Sequence, residues 1–142
     1  MRALLDVNVL IALLDADHTL HAPAMAWFNE NARTGWASCP ITQNGCVRIL
    51  SSPSYPAGVP PSRAMELLAH ATAHDLHEFW PDDISLLDPR IVDATRIHGP
   101  RQLTDLYLLA LAVRMKARLV TFDRSIAIDA VRGASKRNLL AL

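Results

Sequence analysis

The chain has 142 residues and a mass of 15.6 kDa, with 51% hydrophobic residues, 20% charged residues and a formal net charge of zero. This length predicts one domain, residues 1–142, with a single buried core, and the composition excludes a disordered or fibrous protein. No stretch approaches the roughly 18 uninterrupted apolar residues of a membrane span, and Asp6 and Asn8 interrupt the apolar N-terminal run, so we expect a cytoplasmic protein.

The charges are unevenly distributed along the chain. Residues 1–99 contain 6 Lys and Arg against 11 Asp and Glu, a net charge of −5, whereas residues 100–142 contain 8 against 3, a net charge of +5. Either the basic C-terminal third attracts a polyanion, or both sets of charges lie on solvated faces that point away from each other.

Strands and helices are predicted to alternate in the first half of the chain. The predicted elements are a strand at 3–6, a helix ending at Leu14 with Asn8 as its cap, a helix at 21–31, a strand at 36–38, a helix at 41–50 opened by Pro40 and capped by Ser38 or Cys39, and a helix at 62–73. Four prolines predict a loop over 51–61.

The second half continues the alternation. It comprises a predicted strand at 77–80, a short helix near 89–96, a mostly buried helix at 105–116 capped by Thr104, and a strand at 119–122 closed by Asp123. Such an order is typical of an α/β fold. We therefore predict a three-layer α/β/α sandwich around a central, mostly parallel sheet of four to five short strands.

Three acidic residues stand at positions where parallel strands place functional groups. Asp6 ends the first strand, Asp123 ends the last, and Asp105 lies in the first turn of the most buried helix. In open α/β sheets the functional crevice lies beyond the carboxyl ends of the strands, so we expect the three carboxylates to converge there. Taken singly, each acid has a structural explanation as a helix cap, a dipole partner or a turn residue.

Convergent carboxylates favour a divalent cation. Like charges in one site raise one another's pKa, and a cation removes that conflict. Oxygen ligands in small number suit Mg²⁺ or Mn²⁺, which can activate a water and neutralise a phosphodiester. The three acids are therefore both the candidate metal ligands and the candidate catalytic residues.

Four segments resemble the successive motifs of VapC-type PIN-domain toxins. The segments are 4–10 (LLDVNVL), 39–45 (CPITQNG), 103–112 (LTDLYLLALA) and 121–124 (TFDR), and their order and spacing extend over essentially the whole chain. The resemblance implies a PIN-like fold and a toxin of a type II toxin-antitoxin system. Its implied activity is that of an Mg²⁺- or Mn²⁺-dependent endoribonuclease, a hydrolase that cleaves phosphodiester bonds in structured RNA such as tRNA or rRNA.

The same resemblance implies partners and roles. The partners are a VapB-type antitoxin, an RNA substrate and a second copy of the chain in a homodimer, which becomes a heterotetramer or larger with antitoxin. Asp6 and Asp105 would be the principal metal ligands, Asp123 would complete the site, and Asn8 and Thr121 would support it by hydrogen bonding. Apolar positions on the first two helices are candidates for the dimer or antitoxin surface.

One position departs from the wider PIN pattern. The helix opened by Pro40 usually supplies a glutamate in that family, and this chain has Gln43. An amide adds no negative charge, so we predict weaker metal affinity than an acid would give at position 43, as a Gln43→Glu variant would test. The departure keeps open an alternative, a catalytically weakened PIN-like protein that binds RNA or antitoxin in a regulatory role.

Other signals favour no different function. Arg48, Arg101 and Arg124 are candidates for holding RNA phosphates, or for pairing with the acids when RNA is absent. The histidines at 70, 74 and 77 have helix-like spacing, but nothing completes a zinc site, so we expect a solvated helix face. A haloacid dehalogenase-type phosphatase would need an aspartate at Asn8, and a receiver domain would need a lysine after the last strand.

Overall fold

The computed structural model describes residues 1–142 and contains one five-stranded, fully parallel sheet. The strands are β1 (Ala3–Leu5), β2 (Trp36–Ser38), β3 (His77–Phe79), β4 (Arg118–Thr121) and β5 (Leu139–Ala141), and their order across the sheet is β3-β2-β1-β4-β5. The predicted α/β class and the sheet of four to five strands are confirmed. No individual strand was predicted at β5.

Helices cover both faces of the sheet. They are α1 (Val7–Leu14), α2 (His21–Asn31), α3 (Pro40–Leu50), α4 (Pro61–Thr72) and α5 (Leu103–Arg114). Side chains alternate between the two faces of β1: Leu4 packs in the core cluster that α5 completes, whereas Leu5 packs in the cluster formed with α1, α3 and α4. This arrangement is the predicted three-layer sandwich. No helix combines the length and the hydropathy that crossing a bilayer requires.

Two predicted helix caps are wrong. Asp6 rather than Asn8 caps α1, because its carboxylate accepts a hydrogen bond from the Val7 N–H at 2.7 Å. The last long helix begins at Leu103, one residue before the predicted Thr104 cap, because the 3₁₀ turn Pro100–Gln102 leads directly into it.

The predicted helix near 89–96 is also wrong. Only Ala94–Arg96 is helical there, as a single 3₁₀ turn in which the Thr95 N–H donates to the Asp93 carboxylate. Immediately before it, Val92 forms an isolated antiparallel bridge with Val131. That bridge holds the backbone extended, and so an α-helix cannot continue through it.

Strand register brings two predicted site segments to the same edge. β1 and β4 are neighbours, with Leu5 opposite Val120. Asp6 directly follows β1, and Asp123 follows Thr121, the last residue of β4, by two residues, so these segments leave the sheet side by side at its carboxyl edge. The pairing of β1 with β4 therefore determines the position of these two parts of the candidate site.

Gly45 is a point of close contact between α3 and α1. A Cβ atom built at Gly45 would lie 2.8 Å from Cγ2 of Val7, the first residue of α1. Val7 is β-branched and has little rotamer freedom, so the helices themselves would have to separate. Alanine has a higher helix propensity than glycine, but we expect this steric conflict to outweigh it. Gly45→Ala should lower the free energy of unfolding, measured by urea denaturation, by about 1 to 3 kcal/mol.

Gly99→Ala is the matched control for this prediction. Nothing lies within 4 Å of a Cβ atom at Gly99, so its stability is expected to change by less than about 0.5 kcal/mol. A Gly45→Ala protein as stable as the control would show that α1 and α3 do not require this close approach.

Candidate active site

The structure brings the three predicted acids to one cavity. Asp6, Asp105 and Asp123 all line a space of about 310 Å³ at the carboxyl edge of the sheet. Asp6 occupies the turn between β1 and α1, Asp105 lies in the first turn of α5, and Asp123 follows β4 by two residues. Three separate parts of the chain therefore contribute one carboxylate each.

Asp6 is buried and rigidly held. One carboxylate oxygen accepts the Val7 N–H at 2.7 Å, and the other accepts the Thr121 hydroxyl at 2.6 Å. Burial nevertheless raises the pKa of Asp6 above its ordinary value, because desolvation outweighs these two hydrogen bonds, and the charge of Asp123 adds to the rise. The carboxylate is thus oriented but costly to ionise.

Thr121 is the centre of the hydrogen-bond network. Its hydroxyl donates to Asp6 and accepts from the Asn8 side-chain amide at 3.1 Å and from the Asp123 N–H at 3.0 Å. A hydroxyl has one donor and two acceptor sites, so all three are used. The Asn8 oxygen in turn accepts the Phe122 N–H at 3.2 Å, which ties α1 to the end of β4.

Asp105 has the least compensated carboxylate of the three. It is half-buried and accepts no hydrogen bond from the protein, and burial together with the charges of Asp6 and Asp123 raises its pKa to about 6. Asp123 differs, because hydrogen bonds from the hydroxyl and the N–H of Ser125, each at 2.7 Å, lower its pKa. The cluster therefore contains one carboxylate with no protein partner beside two that are hydrogen-bonded.

This donor set fits a hard divalent cation. No salt bridge neutralises any of the three acids, so the protein itself does not relieve the repulsion between their charges. No group of three or more His, Cys, Asp or Glu side chains is close enough to enclose an ion unaided. Mg²⁺ binds through one or two carboxylates and keeps several waters, which matches an open set of acids.

Of the three arginines predicted to contact RNA, the structure brings only Arg101 close to the acids. Arg101 lines a smaller cavity of about 190 Å³ together with Asp105 and Asp123. Arg124 donates to the C-terminal Leu142 carbonyl at 3.3 Å, and Arg48 is exposed on α3. None of the three forms a salt bridge, so they do not pair with the acids.

The structure does not bring Gln43 to the acids. Its amide donates to the Ser38 hydroxyl at 2.9 Å, and its side chain lines a different cavity, between α3 and α4. The α3 residue that lines the acidic cavity is Ile49. Residues six apart lie on different faces of a helix, which is why position 43 points elsewhere.

This placement removes the gain in metal affinity that was expected from an acid at position 43. We expect Gln43→Glu to leave the Mn²⁺ affinity unchanged in titration calorimetry, because a charge on the other face of α3 is screened by solvent. Asp105→Asn, measured beside it, should reduce the affinity. A clear gain in affinity for Gln43→Glu would show that residue 43 does reach the ion.

The cavity also contains residues that the sequence did not single out. His18, Ile49 and Tyr55 line it together with the acids. No motif or spacing marks them, because His18 lies in the turn after α1 and Tyr55 in the proline-rich loop after α3. Only the folded chain shows their position.

Two of the three histidines predicted to share a solvated helix face, His74 and His77, do not lie on a helix. His70 and His74 are exposed, but His77 begins β3, packs against Trp36 and hydrogen-bonds Ser38 at 2.8 Å. The helix ends at Thr72, before the predicted spacing is complete. The three histidines form no metal site.

Comparison with known proteins gives consistent results at the level of family, sequence and fold. A family model described as PIN domain matches residues 3–132. The chain is 55% identical to Ribonuclease VapC44 of Mycobacterium tuberculosis over 142 residues, which is 100% of both proteins.

Two solved structures share the fold. VapBC2 of Rickettsia felis, bound to a DNA fragment from its promoter, superposes with a TM-score of 0.64 at 14% identity and covers 100% of this chain and 99% of that one. The Mycobacterium tuberculosis toxin VapC20, described as cleaving the sarcin-ricin loop, superposes with a TM-score of 0.60 at 11% identity over 82% and 85% of the two chains.

A parallel α/β sheet with acids gathered at its carboxyl edge, together with the matched family model, defines a PIN domain, and the chain belongs to the PIN-domain family. Its full-length similarity to a VapC ribonuclease places it, within that family, among the VapC toxins.

Proposed function

We propose that the protein is the toxin of a type II toxin-antitoxin system and acts as a metal-dependent endoribonuclease. The observation that carries this proposal is the cluster of three carboxylates in one cavity, none of them in a salt bridge. Full-length identity of 55% to a protein named as a ribonuclease supports it. The reaction is hydrolysis of an RNA phosphodiester.

Asp6, Asp105 and Asp123 would hold Mg²⁺ or Mn²⁺. When bound, such an ion lowers the pKa of a coordinated water and offsets charge on the phosphate. The chain's own contribution is orientation: Thr121 and the Val7 N–H fix the Asp6 carboxylate, and Ser125 fixes that of Asp123. Asn8 supports Thr121, and Arg101 is placed to contact an RNA phosphate beside the acids.

The proposed substrate is structured RNA of the tRNA or rRNA class. VapC20, which shares the fold, is described as a toxin that cleaves the sarcin-ricin loop, an RNA target of that kind. The activity would be exerted in the cytoplasm, where such RNA is found.

A VapB-type antitoxin is the proposed partner. A cavity of about 500 Å³ lined largely by apolar side chains opens between α1, α2 and α4, and a solved structure that shares the fold is described as VapBC2. Exposed apolar surface of this kind is typical of a binding face for another chain. We propose that antitoxin covers it, and that the toxin forms homodimers that assemble with antitoxin into heterotetramers or larger complexes.

The alternative, a PIN-like binding protein without efficient chemistry, is less well supported. It depended on Gln43 replacing an acid of the site, and Gln43 lies on another face of α3. All three acids of the cavity are present.

Total cellular RNA offered to antitoxin-free protein tests the proposal. We expect discrete cleavage with Mg²⁺ or Mn²⁺, none with chelator, and none with Asp6→Ala. Asp83→Ala is the matched control, because Asp83 is exposed and pairs with Arg114 outside the acidic cavity. Intact RNA in every reaction, from protein shown to be folded, would reject the nuclease and favour the binding alternative.

A further inference from the structure

The acidic cavity has a second wall of different chemistry. Its lining residues include no Lys or Arg; beside the acids and Asn8 they include His18, Ile49 and Tyr55. A phosphodiester that approaches three carboxylates needs attractive contacts that do not cancel the charge required for a cation. An aromatic ring and a side-chain N–H donor provide such contacts.

Tyr55 is fixed in place at this wall. Its hydroxyl donates to the carboxylate of Asp15, the residue that ends α1. The loop that carries it is closed by hydrogen bonds from the Val59 N–H to the Leu50 carbonyl at 3.1 Å and from the Gly58 N–H to the Tyr55 carbonyl at 3.0 Å. The ring is therefore held at the cavity before any ligand arrives, which reduces the entropy lost on binding.

His18 presents a defined donor beside it. The Leu20 N–H donates to its Nδ1 at 3.0 Å, so in the neutral ring the proton lies on Nε2. Nε2 has no partner within the protein, and a backbone hydrogen bond from the His18 N–H to the Asp15 carbonyl at 3.1 Å ties this turn to the same residue that holds Tyr55. Asp15 thus contacts both residues, Tyr55 through its carboxylate and His18 through its backbone carbonyl.

We propose that His18 and Tyr55 position the RNA for cleavage. The ring of Tyr55 stacks on an unpaired nucleobase next to the scissile phosphate, and His18 Nε2 donates to a phosphate oxygen of the same strand. The proposal rests on the proposed ribonuclease function and adds a requirement for an unstacked base, since a base within a duplex cannot reach a protein ring. It assigns substrate positioning to residues that supply no metal ligand.

The test combines binding and kinetics. Binding of a labelled short oligoadenylate is measured by fluorescence anisotropy in an Asp105→Asn background, and kcat and KM are measured on an RNA containing the mapped cleavage site. Tyr55→Leu is expected to raise Kd and KM about tenfold with a smaller change in kcat, and His18→Ala to raise both several-fold. Tyr55→Phe keeps the ring but loses the Asp15 contact, so its losses in both assays should be clearly smaller than those of Tyr55→Leu.

Phe79→Leu is the matched control, because Phe79 is an exposed aromatic on β3 and does not line the cavity. Circular dichroism establishes that each variant is folded. Wild-type Kd and KM in folded Tyr55→Leu would overturn the inference, as would equal losses in Tyr55→Phe, which would assign the effect to the Asp15 contact. Absence of cleavage by wild-type protein would reject the ribonuclease proposal separately, while the anisotropy arm still decides whether this wall binds RNA.

Discussion

Asp105→Asn is expected to reduce RNA cleavage by about a thousandfold or more and, in the absence of metal, to make the protein more stable at neutral pH. The loss of activity follows from removing the carboxylate that has no hydrogen-bond partner within the protein. The gain in stability follows from removing a charge that the fold does not compensate. A residue retained only for structure would not produce these opposite effects.

The sign of the stability effect follows from the two pKa values. The Asp105 carboxyl ionises at about 6 in the folded protein and at its ordinary value of 3.8 when unfolded. Its penalty is absent below pH 3.8, grows between pH 3.8 and about 6, and is constant above. Because the side chain is half-buried and partly solvated, we expect a gain of only about 1 kcal/mol at pH 7.5, or about 3 °C in Tm.

Thermal unfolding in chelator at pH 7.5 and pH 4.5 measures this effect. Asp105→Asn should unfold at a higher temperature than wild type at pH 7.5, with the difference reduced at pH 4.5. Asp123→Asn is the matched control of opposite sign, because hydrogen bonds from Ser125 stabilise the Asp123 charge and lower its pKa. Equal stability of Asp105→Asn and wild type at both pH values would contradict the charge conflict described for the cavity.

Thr121→Val is expected to cost about 3 kcal/mol of stability and most of the activity, although it keeps the shape of the side chain. The substitution removes a donor from the buried Asp6 carboxylate and an acceptor from both Asn8 and the Asp123 N–H. Hydrogen bonds to charged groups contribute about 1.5 to 3 kcal/mol, and buried groups left unpaired add their desolvation cost. Asp6 would also ionise at a still higher pH.

Urea denaturation and the cleavage assay test this prediction together. Thr19→Val is the control, since Thr19 is exposed and its side chain makes no hydrogen bond, and its stability should change by less than about 0.5 kcal/mol. If Thr121→Val retained wild-type stability, the hydroxyl would not hold the two strand ends together. A loss of stability with unchanged cleavage activity would assign Thr121 a structural role alone.

The convergence of the three acids in one cavity could be predicted because two of them stand where parallel strands end and the third stands in the first turn of the most buried helix. A buried carboxylate inside an apolar run, as at Asp6, is costly and therefore indicates a helix cap or a functional site. The sheet edge could be predicted as well, since parallel strands deliver their last residues to one side. Both inferences use only the residue types in a short segment and the general geometry of parallel sheets.

The errors arise where distant contacts decide between local options. Asp6 and Asn8 are both good helix caps two residues apart, and the choice falls to Asp6 because Asn8 is engaged by Thr121 and Phe122, over a hundred residues away. Similarly, β5 has only three residues, which is too short for its hydrophobic pattern to indicate a strand; its pairing with β4 is what defines it. Positions such as Tyr55 join the cavity only through tertiary packing.

Titration calorimetry of wild-type protein with Mn²⁺ at pH 7.5 and pH 5.0 tests most directly whether the three carboxylates form the metal site of the enzyme. Metal binding requires ionised carboxylates, and a pKa of about 6 at Asp105 predicts saturable binding at pH 7.5 that weakens about tenfold at pH 5.0 and is lost in Asp6→Ala. Absence of binding at pH 7.5, or binding that survives the loss of Asp6, would contradict the assignment of the site.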